Sequence, residues 1–192
     1  MITSFTQFYR HFSQNRVISS ALQNLENHFH WYPSILLLIV WHVKNHYGRL
    51  SQVQLRQLQK VVQQWHERLV NGLNRLNQTV QMKCGQDILT QIQQLEQLSL
   101  TFEANMLEDY LTYPKTKSKP ENHLVRDVCQ NILLYGKLLQ SPLNDDAIKS
   151  IKLYIVAVFP EQNLLDIEII VEQQLKSYPA LSHSGEQLIF DV

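Results

Sequence analysis

Glycine, proline and cysteine are scarce in this chain, and acids are nearly missing from its first half. Five glycines leave little from which to build a phosphate-cradling loop, and no Walker-type loop, G-x-G-x-x-G or G-x-S-x-G occurs. With only six prolines as well, turns are few and segments long. The two cysteines, Cys84 and Cys129, lie far apart and form no C-x-x-C pair, which argues against a disulfide framework and a zinc ribbon. A reducing, cytoplasmic home is the expectation. The longest unbroken apolar run, Ile35 to Trp41, is seven residues, against the ~20 that cross a bilayer. The first residues carry no basic region followed by an apolar one, so no signal peptide is expected.

Charged residues make up 18%, below the usual ~25%. Glutamine fills the gap with 22 copies, and it is a good helix former. The charge is also divided. Residues 1–86 hold nine Lys/Arg and two Asp/Glu; the remaining 106 hold eight and fifteen, a balance of +7 against −7. Such a split points to a docking surface or to two modules that face each other, rather than to a reaction. At 192 residues the chain fits one domain, or one with a small appendage.

Helical periodicity runs through almost the whole chain. Phe5, Phe8, Tyr9 and Phe12 mark a first helix. Asn15 caps a second, with Val17, Ile18, Ala21, Leu22, Leu25 and Phe29 on its apolar face. Pro33 opens a third, expected to stop at Gly48. Ser51 caps the longest element, whose stripe is Leu55, Leu58, Val62, Trp65, Leu69, Leu73, Leu76 and Val80, with Gly72 as a weak point. After a turn at 82–85, Ile88, Ile92, Leu95, Leu98, Phe102, Met106 and Tyr110 form the inward face of a partner helix, and the two make an antiparallel hairpin. Three more helices are expected: 121–139, one capped by Asn144 or Asp145 and ending at Pro160, and 161–176. The last has a β-branched middle that also reads as a strand, but no partner strand exists. The expected architecture is all-α, a bundle of seven or eight helices with a long antiparallel hairpin. Its parts are a helical core with the hairpin (1–113), a Lys/Pro linker (114–120), a three-helix C-terminal subdomain (121–177) and a loose tail (178–192).

Candidate chemistry is thin. His42 and His46, at i and i+4 on the third helix, have the spacing of two metal ligands; a third would have to be His28, His30, Glu26 or His66, and no H-E-x-x-H motif surrounds them. The plainer reading is imidazoles favoured by the dipole at a helix end. The acid pairs Glu108-Asp109, Asp145-Asp146 and Asp166-x-Glu168 have the composition that hydrolases use, but the first lies near a helix end and the second at a helix start, where acids stabilise the N-terminal dipole. No catalytic residue and no cofactor are assigned. All three tryptophans lie in the first 86 residues; Trp41 and Trp65 are expected in the core and Trp31 partly exposed.

A sharper pattern lies on the long helix. Arg49, Arg56, Lys60, Arg68 and Arg75 project within about 120° of each other, opposite the apolar stripe. If the helix reaches back to Arg49, the row is about 39 Å long at 1.5 Å per residue. Glu67 is the one acid in that arc. Such a row is an ordinary solvated face, a dock for an acidic protein surface, or a track for a phosphate backbone. Zero net charge and the lack of any helix-turn-helix, finger or RNA-binding signature place protein ahead of nucleic acid.

The pattern Phe8-Tyr9, Val17, Leu22 through Leu25, Leu36-Leu37-Leu38 ending at Trp41, then Trp65 and Leu73-x-Arg75-Leu76 resembles a small bacterial family known only as a conserved domain of unknown function. The resemblance spans residues about 5 to 80. Where that family has Gly and Asn before the leucine run, this chain has Trp31-Tyr32-Pro33-Ser34. The resemblance implies an all-helical cytosolic protein, and no reaction, cofactor or ligand. The functional expectation is therefore a non-enzymatic interaction or adaptor protein that holds an acidic partner on its basic row. Nucleic-acid binding through the same row, and a metal or enzymatic role for His42 and His46, are the alternatives.

Overall fold

The computed structural model describes residues 4–81, 86–111, 121–141 and 143–175; the expected linker, the tail and Cys84 lie outside them. The elements in order are α1 (Phe5–Ser13), α2 (Arg16–Phe29), α3 (Pro33–Lys44), α4 (Gln52–Trp65), a π turn (His66–Val70), α5 (Asn71–Gln81), α6 (Gln86–Asp109), α7 (Glu121–Leu138), α8 (Asp145–Val158) and α9 (Leu164–Leu175). Among the described residues there is no strand, and the β-branched segment in question is α9. Because α4, the π turn and α5 run on without a break, these are eight rods.

The caps follow the sequence. Asn15 Oδ1 accepts from the backbone N–H groups of Val17 (3.0 Å) and Ile18 (3.3 Å). Ser51 forms a full capping box with Gln54, and Asn144 accepts from Ala147 N–H at 2.9 Å. Each satisfies amide groups that a helix start leaves without partners.

The third helix ends earlier than expected, at Lys44 rather than Gly48. His46 takes a left-handed φ of 60°; its N–H donates to the Val43 carbonyl and that of Tyr47 to the His42 carbonyl, which is the Schellman closure usually given to glycine. Gln140, at φ 51°, closes α7 in the same way, and His30, at φ 58°, closes α2 with a bond to the Glu26 carbonyl. A chain poor in glycine thus ends three helices on residues that pay a steric penalty of about 1 kcal/mol for that conformation.

Helix α3 is the axis of the molecule: every side chain from Ser34 to Val43 is buried. Around it pack α1, α6 and α7, while α2 lies against α8 and α9 against α7 and α8. The C-terminal helices share one hydrophobic cluster with α1–α4. Tyr154 on α8 donates to the Leu36 carbonyl (2.7 Å), and Lys44 donates to the Val158 carbonyl and pairs with Glu161, both at 2.9 Å. Trp31, expected partly exposed, is fully buried. Its ring packs edge-on against Tyr135 and lies so close to Gly136 that a Cβ there would sit 3.0 Å from it. Absence of a side chain on α7 is what lets the indole into the core.

The hairpin is antiparallel, since His66 meets Glu103 and Asn77 donates to Glu96 (3.0 Å). Its faces differ from expectation. Leu73 is half-buried and Val80 and Ile92 are buried, but Leu69, Leu76, Ile88, Leu95, Leu98, Phe102 and Tyr110 are exposed. The lower half of α6 instead turns Ser99, Glu103, Ala104 and Leu107 inward. Two helices can bury only the side chains along their seam, and nothing described covers the rest of the apolar stripe.

Candidate functional site

Two places carry chemistry. The first is the outer side of the long rod. Its apolar residues alternate by three and four up to Leu69, and then a second interval of four leads to Leu73. That extra residue coincides with the π turn, where the Asn71 N–H reaches back to the His66 carbonyl. One inserted residue turns everything after it back by about 100° relative to an uninterrupted α-helix. The turn tightens the basic row. Arg56, Lys60 and Arg75, spread over about 100° on a uniform helix, fall within about 40° once the insertion is counted, and Arg68 lies inside the turn itself. All four are exposed, and among the described residues none has a carboxylate within ion-pair distance. From Arg56 to Arg75 the row is about 28 Å long.

Arg49 does not belong to it. Helix α4 begins at Gln52, and Arg49 lies in the segment before it, where its guanidinium donates to Gln130 and stands 3.8 Å from Asp127 on α7. Among the described residues, acids of the second half therefore meet Lys44, Arg49 and His66 of the first, and leave Arg56, Lys60, Arg68 and Arg75 without an ion pair.

Beside the row lies the uncovered apolar strip. Relative to the seam, Leu76 on α5 is offset by about 60°, and Ile88, Leu95, Leu98 and Phe102 on α6 by about 40–120° in the same rotational sense. In antiparallel helices the same sense means the same side of the hairpin. Arg75 stands about 100° beyond Leu76, so the basic residues edge one flank of the strip.

The second place is a recess of about 300 Å³ between α1, α2, α3, the π turn and α6, lined by Tyr9, Glu26, Ser34, His66 and Glu103 among others. Glu103 is 1% exposed. It accepts from the Ser34 hydroxyl and pairs with His66 Nε2 at 3.2 Å. Burial works against the imidazolium, but the Glu103 hydrogen bond and charge, with Glu26 behind it, hold His66 above its ordinary value. Burial pushes Glu26 up; His66 opposes this and Glu103 adds to it. Tyr9 is raised, first by burial and then by the charges of Glu103 and Glu26.

This recess was not foreseen, because its residues come from segments near 9, 26, 34, 66 and 103 that no motif joins. The available signal was polarity out of place: Ser34 opens an apolar run, and Glu103 shares a helix face with Ile92.

The histidine pair is not assembled. Helix α3 stops at Lys44, so His46 stands past its end in the left-handed turn, while His42 is buried with Nδ1 2.9 Å from the Gly48 carbonyl. Burial holds His42 below its ordinary value, and the Gly48 bond offsets this in part. Among the described residues no group of three His, Cys, Asp or Glu is placed to hold a metal ion. The acid pairs have structural partners: Glu108 accepts from Ser4 and from the Thr6 N–H at the start of α1, Asp145 and Asp146 occupy the first turn of α8, and Glu168 pairs with Lys152 at 2.8 Å. No described helix is long and apolar enough to cross a membrane.

Comparison with protein-family models, curated proteins and solved structures finds no match. The resemblance over residues about 5 to 80 therefore carries its all-helical implication and no family assignment.

Proposed function

We propose that the protein is a non-enzymatic interaction or adaptor protein whose hairpin holds an acidic protein partner. The observation that carries this reading is the pairing of four exposed basic residues, free of ion partners among the described residues, with an apolar strip beside them. A solvated helix face needs neither. A phosphate backbone would use the charges but leave Leu76, Leu95 and Phe102 wet, so the strip favours protein over nucleic acid. The buried, unpaired Cys129 thiol, pushed up to about 12 by burial, fits the cytoplasmic home expected.

The partner surface that fits is an amphipathic helix with leucines along one face and glutamates along its edge. A synthetic Leu/Glu helical peptide, followed by fluorescence anisotropy, tests it. Saturable binding that weakens with salt, and falls at least about tenfold when Arg56, Lys60, Arg68 and Arg75 become Glu, supports the reading. Unchanged binding by the reversed variant rejects it. Stronger, salt-dependent binding of a duplex oligonucleotide than of the peptide hands the row to nucleic acid.

A further inference from the structure

The recess beside Glu103 is separate from the hairpin surface and has an opposite charge requirement. Among the described residues its lining contains two carboxylates, Glu26 and Glu103, and no lysine or arginine. His66 is the one lining group able to carry positive charge, and Glu103 already engages it at 3.2 Å. Among the described residues Glu26 makes no hydrogen bond or ion pair, and burial, with Glu103 behind it, disfavours its charged form against the opposing charge of His66. Tyr9 lines the same space, is 6% exposed, and among the described residues its hydroxyl makes no hydrogen bond. That hydroxyl is not sealed off from solvent, so water meets it in the recess and a ligand acceptor or donor can take the water's place. The remaining walls are the hydroxyls of Ser13 and Ser19, the amides of Gln14, Gln23 and Gln97, and the apolar Leu22, Leu37 and Leu100.

We infer that this recess binds a small organic cation of the amine or guanidinium class, its charged end against Glu26 and Tyr9 and its carbon chain against the leucines. A carboxylate in a desolvated wall favours a cation over a neutral molecule of equal size, because only the cation supplies the missing counter-charge. A volume of about 300 Å³ suits a chain of the length of putrescine or agmatine. Metal ions are disfavoured, since no described trio of ligands converges.

Isothermal titration calorimetry of the full chain with putrescine and with agmatine is the test, against succinate and the uncharged diol of putrescine's length. One-to-one binding of a cation, with neither control binding, is expected. Glu26→Gln, which keeps the shape and removes the charge, should weaken it at least about tenfold, the scale of a lost charge-assisted hydrogen bond. Tyr9→Phe should weaken it severalfold without altering the circular dichroism spectrum, and it decides the matter if the Glu26 variant is misfolded. The inference is overturned if neither cation gives saturable heat up to about 10 mM, a Kd beyond which binding is worth under ~3 kcal/mol. Equal binding of the diol, or unchanged affinity in the folded variants, overturns it too.

Discussion

The body around α3 and the hairpin of α5 and α6 use the same kind of sequence and end in opposite states. Both carry leucine-rich stripes at helical spacing. In the body α3 is buried all round and most stripe residues are covered, with exceptions such as Val17 and Ile169. In the hairpin only the seam is covered, and Leu76 (48%) and Phe102 (53%) face solvent. Periodicity reports which side chains share a face. It says nothing about whether another element is available to lie on that face.

The widest gap should appear on removing one large side chain from each region. Trp41→Ala empties a site that is 1% exposed and should cost about 3–5 kcal/mol. Phe102→Ala should cost under about 1 kcal/mol, because half of that ring is already in water. Chemical denaturation of the two variants checks this; equal losses would mean that the hairpin face is covered in the free protein.

Glycine gives a contrast of sign. At Gly136 a Cβ meets the Trp31 ring at 3.0 and 3.2 Å, and the indole is locked in the core. Gly136→Ala should destabilise by about 1–3 kcal/mol, the usual cost of overpacking. At Gly72 a Cβ meets nothing within 4 Å, and the residue is helical. Gly72→Ala should stabilise by about 1 kcal/mol. Paired thermal melts decide, and shifts of the same sign would break the comparison.

Much of this organisation was legible, and the limit has a physical form. Asn15, Pro33, Ser51 and Asn144 act within three residues of themselves, so their roles are written locally. The helix faces follow from spacing over one rod. The end of α3 was misplaced because Gly48 is the expected left-handed residue, whereas His46 adopts that conformation two positions earlier. The π turn leaves one extra residue in a three-four rhythm, too small a signal to separate from ordinary variation. The recess needed the fold itself, since only the crossing of α1, α2, α3, the π turn and α6 brings Tyr9, Glu26, Ser34, His66 and Glu103 together.

The two histidines placed by that fold should respond to pH in opposite directions. His66, at the root of the hairpin, has a folded value raised by Glu103. Its stabilisation is complete below the unfolded value and is lost as pH rises through the folded one. His42, in the body, has a folded value lowered chiefly by burial. Its stabilisation is present above the unfolded value and is lost as pH falls through the folded one. Denaturation between about pH 5 and pH 8 should show a smaller loss on raising pH for His66→Gln than for the parent, and a smaller loss on acidification for His42→Gln. Identical slopes in all three proteins would remove both assignments.

The smallest effect on stability is expected where the effect on binding is largest. Arg56, Lys60, Arg68 and Arg75 point to water and make no ion pair among the described residues. Reversing each to Glu should shift stability by no more than about 0.5 kcal/mol. Glu67 is the one acid in that arc, so reversal mostly exchanges the sign of a repulsion already present and adds only the part that involves Glu67. If instead the four-site variant loses several kcal/mol, the row is covered by this chain's own acids and is not free to meet a partner. A variant of parental stability that no longer binds the acidic helix would mark the row as a surface kept for binding.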